Sequence, residues 1–80
     1  MPDVASLESI RAARDLLDVS VLEVWLAYVS VGGNRDADHL AGYLNGDVDV
    51  DVTEHNRIVA AINDLFADRG LEHSLDYVSP

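Results

Sequence analysis

The chain is 80 residues long and sets fifteen acidic against five basic side chains, a net charge of −10 at pH 7 and a pI near 4.2. That length makes one domain, which buries roughly 60–65% of its unfolded surface, too little for a deep substrate cavity. Cysteine is absent, which excludes disulfides, zinc ribbons and thiol chemistry, and 49% hydrophobic with 25% charged residues is a globular composition.

The acidity excludes more than it indicates. All five basic residues are arginine (Arg11, Arg14, Arg35, Arg57 and Arg69), lysine is absent, and eleven of the fifteen acids are aspartate. Such a surface repels nucleic-acid phosphates and anionic lipid headgroups, so neither is expected as a direct partner. A basic protein partner suits it, although the same charge also serves solubility alone. The N-terminus, Met1-Pro2-Asp3-Val4, has no basic leader. The longest apolar run, Val24 to Val31, falls far short of the roughly 20 residues that span a bilayer. The expected setting is cytoplasmic.

In chain order, the first helix is expected over residues 6–17. Leu7, Ile10, Ala13 or Arg14, and Leu17 recur at three- and four-residue steps and make one apolar stripe. Ser6 or Asp3 is placed to cap it, and Glu8 to pair with Arg11 one turn on. Ser20 stands three residues before Glu23, the reciprocal capping-box pattern, with Val19 and Val24 as the hydrophobic staple across it. A second helix, 21–31, follows. Glu23 is its only charge, so it is expected to lie largely buried at the centre of the fold, packed by the first and fourth helices. Gly32-Gly33 ends it.

Asn34 and Asp36 offer caps for a third helix, 37–45, with Leu40, Tyr43 and Leu44 inward and Gly46 as its stop. Gly42 inside it costs about 1 kcal/mol relative to alanine, which close packing against another helix would explain. Residues 47–52 alternate aspartate and valine, but one short acidic strand has no partner. An extended connector is expected, with valines under the core and aspartates in water. The fourth helix, 53–69, is capped by Asp51 with Glu54, or by Thr53. His55, Ile58 or Val59, Ile62, Leu65 or Phe66, and Arg69 trace one face, and Gly70 ends it with Leu71 folding back. Leu75, Tyr77 and Val78 give the tail enough apolar surface to dock.

Several motifs suggest chemistry, and each lacks a necessary part. Asp47-x-Asp49-x-Asp51 begins like a calcium loop, but the glycine needed at position six is Val52 and the glutamate at position twelve is Ile58. Gly70 to Asp76 resembles the serine attachment site of acyl carrier proteins, yet His73 stands where those have aspartate before the serine, here Ser74. His39, His55 and His73 share no metal-clamp spacing, and His55 beside Glu54 suits a partly buried ring bonded to backbone. A helix-turn-helix over residues 20–69 would set Arg57 and Arg69 against Glu54, Asp64 and Asp68, the wrong charge for DNA. Ser30, Thr53 and Ser74 have no legible His/Asp partners. Trp25 and Tyr28 read as core residues whose polar atoms draw them to its edge, where either can anchor an interface.

One resemblance runs through much of the chain. Trp25-Leu26-Ala27-Tyr28 through Gly32-Gly33, Leu40-Ala41-Gly42-Tyr43-Leu44-Asn45-Gly46, Glu54-His55-Asn56 with Ala60-Ala61-Ile62-Asn63-Asp64, and Arg69-Gly70-Leu71 are its carriers. Together, over residues 14–78, they resemble small acidic helical domains of actinobacterial proteins, found alone or beside sensory and regulatory modules. The resemblance implies a cytosolic regulatory setting and supplies no catalytic residue.

The expectation is a compact all-α domain of four helices with a docked C-terminal tail, acting as a non-catalytic protein-interaction or regulatory module without a cofactor. Its partner is a protein, basic if the charge is used, or a second copy if an apolar face self-associates. Asp47, Asp49, Asp51, Trp25, His55 and Tyr77 are the candidate contact residues. Two other functions compete. An acidic DNA mimic that sequesters a nucleic-acid-binding protein requires Asp47, Asp49, Asp51, Asp64 and Asp68 on one face. A small-molecule or metal-binding domain requires His55 and Asn63 to converge.

Overall fold

A computed structural model describes the backbone of residues 4–78 and the side chains of residues 7–78. Among the described residues four helices follow one another: α1 (Val4–Leu17), α2 (Val21–Ser30), α3 (Ala37–Asn45) and α4 (Val52–Asp68). No strand forms among the described residues, and the chain after α4 runs extended along the helices.

The starts of α2, α3 and α4 are set by local side chains. Ser20, Asp36 and Asp51 each take the extended N-cap conformation and accept a backbone N–H three residues on, from Glu23 at 3.2 Å, His39 at 2.8 Å and Glu54 at 2.8 Å. Neither capping box closes reciprocally. The Glu23 carboxylate pairs with Arg69 at 3.4 Å, and Glu54 turns inward to Tyr28 and Arg57. Both acids have been drawn from a local bond into a tertiary one. Helix α1 begins earlier than expected, so Ser6 lies inside it rather than at its cap, and Asp3 lies outside the described residues. Arg11 does not pair with Glu8. Its Nε donates to the Leu44 carbonyl at 2.6 Å, at the C-terminal end of α3, where helix carbonyls lack partners and a cation is favoured.

All four helices stop by the same device. Two N–H groups beyond the last turn bond back to it: Asp18 and Val19 to Asp15 and Arg14, Gly32 and Gly33 to Val29 and Tyr28, Gly46 and Asp47 to Tyr43 and Gly42, and Gly70 and Leu71 to Ala67 and Phe66. This geometry needs a left-handed residue. Glycine supplies it at φ 97°, 84° and 69°, while α1 uses Asp18 at φ 53°, where a side chain costs energy.

The core gathers Ile10, Ala13 and Leu17 from α1, Val24 and Tyr28 from α2, Leu40, Tyr43 and Leu44 from α3, and Ile58, Val59, Ala61, Ile62 and Phe66 from α4. Helices α2 and α4 share the centre of the fold, and α2 is packed by α3 and α4 rather than by α1 and α4. Helix α4 packs most extensively on α2 and also on α1, whereas α3 lies against α2 and α1. The near-absence of charge in α2 therefore does not mean burial all round: Leu22, Leu26 and Val29 face water. In the connector, Val50 is buried and Asp47 and Asp49 are exposed, but Val52 has become the first residue of α4. Gly42 makes room for this connector rather than for another helix. A Cβ there would come within 3.2 Å of a Val48 methyl, and the Gly42 carbonyl accepts from Asp47 at 2.8 Å.

Candidate functional site

Three places concentrate side chains that packing alone does not require. The first is a buried polar cluster at the start of α4. Asp51 fixes the first turn, which points Glu54 and His55 into the core. The Tyr28 hydroxyl donates to Glu54, Arg57 pairs with the same carboxylate one turn on, and the Arg35 N–H donates to the Tyr28 oxygen at 3.2 Å. Beside them the Tyr43 hydroxyl and His55 Nδ1 share a 2.6 Å hydrogen bond, their rings edge to face. Burial, reinforced by Glu54, raises the Tyr28 pKa, and burial with the negative charge of Asp49 pushes Tyr43 up to about 12. Both phenols therefore stay protonated at neutral pH. Among the described residues every fully buried side-chain nitrogen and oxygen has a partner. These bonds tie α2 and α3 to the first turn of α4, with Arg57 closing the cluster from its partly exposed edge.

This cluster also explains Gly33. A Cβ there would stand 2.3 Å from the Tyr28 ring, so glycine lets the ring lie under the turn with its hydroxyl on Glu54. Trp25, half-buried on α2, braces the same turn by donating its indole N–H to the Arg35 carbonyl at 2.9 Å.

The second place is the outer face of α2. Leu22, Leu26 and Val29 are 57%, 54% and 43% exposed and follow one another at steps of four and three residues. They form one stripe, bordered by the half-buried Trp25, opposite the buried Val24 and Tyr28.

The third is the outer face of α4. Asn63 accepts the Leu75 N–H at 2.7 Å and donates to the Leu75 carbonyl at 3.2 Å. Seven residues earlier, Asn56 does the same to Val78, at 2.8 Å and 2.9 Å. Leu75 packs on the core beside a hollow of about 280 Å³ lined by Ala12, Ala13, Leu16 and Phe66 among others, and the His73 ring tilts against Phe66 at 5.5 Å.

The candidate contact residues are thus dispersed. Asp47 and Asp49 are exposed, Asp51 is exposed but serves as the α4 cap, and Tyr77 is exposed on the segment after α4. His55 is 1% exposed and lies in the core. Asp64 and Asp68 lie towards the other end of α4 from Asp51, about 20 and about 25 Å away along the axis at 1.5 Å per residue. His55 and Asn63 are occupied separately, by Tyr43 and by Leu75. Among the described residues no three His, Asp or Glu side chains come together in a metal-holding group. No described helix is long and apolar enough to cross a membrane.

The fold and these surfaces define an all-α four-helix domain with a docked C-terminal segment. No family model, no curated protein and no solved structure matches the chain, so what it does must be read from its own surfaces.

Proposed function

We propose that this is a non-catalytic protein-interaction domain with a regulatory role in the cytoplasm, docking a protein partner on the outer face of α2. One observation carries the reading: three large aliphatic side chains, Leu22, Leu26 and Val29, are aligned in water on a helix whose other face builds the core. Aliphatic anchors spaced i, i+4 and i+7 suit packing against a helix or a shallow groove. Covering what remains exposed of the three gains roughly 2–4 kcal/mol, enough to hold a partner that also supplies contacts around the rim. The net charge of −10 points to a partner whose apolar strip has a basic border, since two copies of this chain repel each other.

Salt separates this partner from a second copy. Screening shortens the reach of charge to about 8 Å at physiological ionic strength, so added salt weakens docking of a basic partner and promotes self-association. Light scattering across a salt series reads the second. Capture from lysate with salt elution, wild type beside Leu26→Asp, reads the first. Leu26→Asp is expected to abolish capture and any dimer while changing stability by no more than about 0.5 kcal/mol, because Leu26 is largely exposed. Equal capture by the two proteins would overturn the assignment of this face.

A further inference from the structure

We propose that the outer face of α4 is a second binding site, one that reads the main chain of an extended peptide, and that residues 75–78 are its built-in occupant. It lies on a different helix from the α2 stripe and stands or falls separately.

The geometry is that of a ladder. Asn56 and Asn63 are seven residues apart on α4, about 10.5 Å along its axis. Leu75 and Val78 are three residues apart in extended chain, about 10 Å. The two spacings coincide, so each asparagine amide meets both the N–H and the C=O of a single residue, four hydrogen bonds of 2.7–3.2 Å in all. An amide that satisfies both main-chain groups of one residue does not depend on that residue's side chain. Selectivity comes instead from Leu75, half-buried against the core beside the hollow at Ala12, Ala13, Leu16 and Phe66, and from the half-buried Val78. Asp76 and Tyr77 between them face water and impose nothing. The site therefore takes any extended segment of the pattern aliphatic-x-x-aliphatic, and a partner's segment of that kind can replace the chain's own.

The intrachain segment holds an advantage, because a short tether gives it an effective concentration on the order of 1 mM. Unseating it should open the site. Leu75→Asp in the full chain is expected to bind a fluorescent peptide of residues 71–78 about tenfold tighter than wild type does, by anisotropy. Adding Asn56→Ala and Asn63→Ala to that variant should abolish binding. A peptide with Asp76 and Tyr77 both replaced by alanine should still bind, and one with Leu75 replaced by aspartate should not. Absence of saturable binding to a Leu75→Asp protein of normal helical circular dichroism overturns the proposal, as does binding that survives loss of both asparagines. If Leu75→Asp fails to fold, isotope-labelled wild type decides. Millimolar unlabelled peptide should move the protein's own Leu75 and Val78 amide signals to unfolded-chain positions, and signals that stay in place overturn the proposal.

Discussion

The first turn of α4 and the segment 71–78 are both held by polar bonds, yet they are built on opposite principles. At the first turn, side chain meets side chain: Tyr28 with Glu54 and Tyr43 with His55 in the core, and Arg57 with Glu54 from the partly exposed edge. Each partner is specific, and losing Glu54 strands the buried Tyr28 hydroxyl without water. Along the segment, side chain meets main chain near the surface, and water can replace either partner. Burial rather than bond number sets the energetic weight: a stranded buried group costs about 1–3 kcal/mol, whereas an exchangeable surface hydrogen bond nets about 1. The first arrangement locks a unique fold, while the second holds a chain that can be let go.

Substitutions on each side test this contrast. The largest effect is expected at Glu54→Ala, about 3 kcal/mol by denaturant unfolding, since it strands the Tyr28 hydroxyl and removes the Arg57 partner together. Glu54→Gln should recover part of this, because an amide oxygen still accepts from Tyr28. A loss below about 1 kcal/mol for Glu54→Ala would mean that the cluster is no more demanding than the surface clamp.

The next effect is one of pH. Tyr43 keeps its proton to about 12 in the folded chain, while an unfolded tyrosine releases it near 10. Stability contributed by the neutral phenol is complete below pH 10 and is lost as pH rises from 10 towards 12, by roughly 2–3 kcal/mol. Tyr28, also raised, adds in the same direction. Tyr43→Phe should lower stability at pH 7 by about 1–2 kcal/mol and flatten the alkaline decline. An unchanged slope above pH 10 would remove Tyr43 from that account.

The smallest effect belongs to the segment. Asn63→Ala should cost about 1 kcal/mol or less in global unfolding yet speed hydrogen exchange at Leu75 severalfold, leaving the amides of Ile58 and Ile62 unaffected. Equal acceleration in the core would show that segment and core unfold as one.

Local signals were legible in the chain, and tertiary ones were not. Ser20, Asp36 and Asp51 could be read as caps and Gly46 and Gly70 as stops because each acts within a few residues of itself. Asp18 could not be read, since a non-glycine left-handed residue leaves no compositional mark. Gly42 announced a close approach without naming Val48 as what approaches. Glu54 read as a capping residue because the pattern around Asp51 is complete; that its carboxylate belongs to Tyr28 depends on a contact between residues 26 apart. The clamp did leave a trace, two asparagines seven apart on one face of a helix that asparagine does not favour. The outward stripe of α2 was hidden by the apolar content that suggested burial, because hydrophobicity alone does not say which face meets the core.

The indole of Trp25 makes the protein its own reporter. It is the only tryptophan in the chain, half-buried between the turn it bonds at Arg35 and the aliphatic stripe it borders. Its fluorescence therefore comes from one location, with no second emitter to dilute it. A ligand settling on Leu22 and Val29 excludes water from one edge of the ring and shifts emission to shorter wavelength. Loosening of the Gly32–Arg35 turn frees the N–H and shifts it the other way. Docking and local unfolding thus give signals of opposite sign in the unlabelled protein.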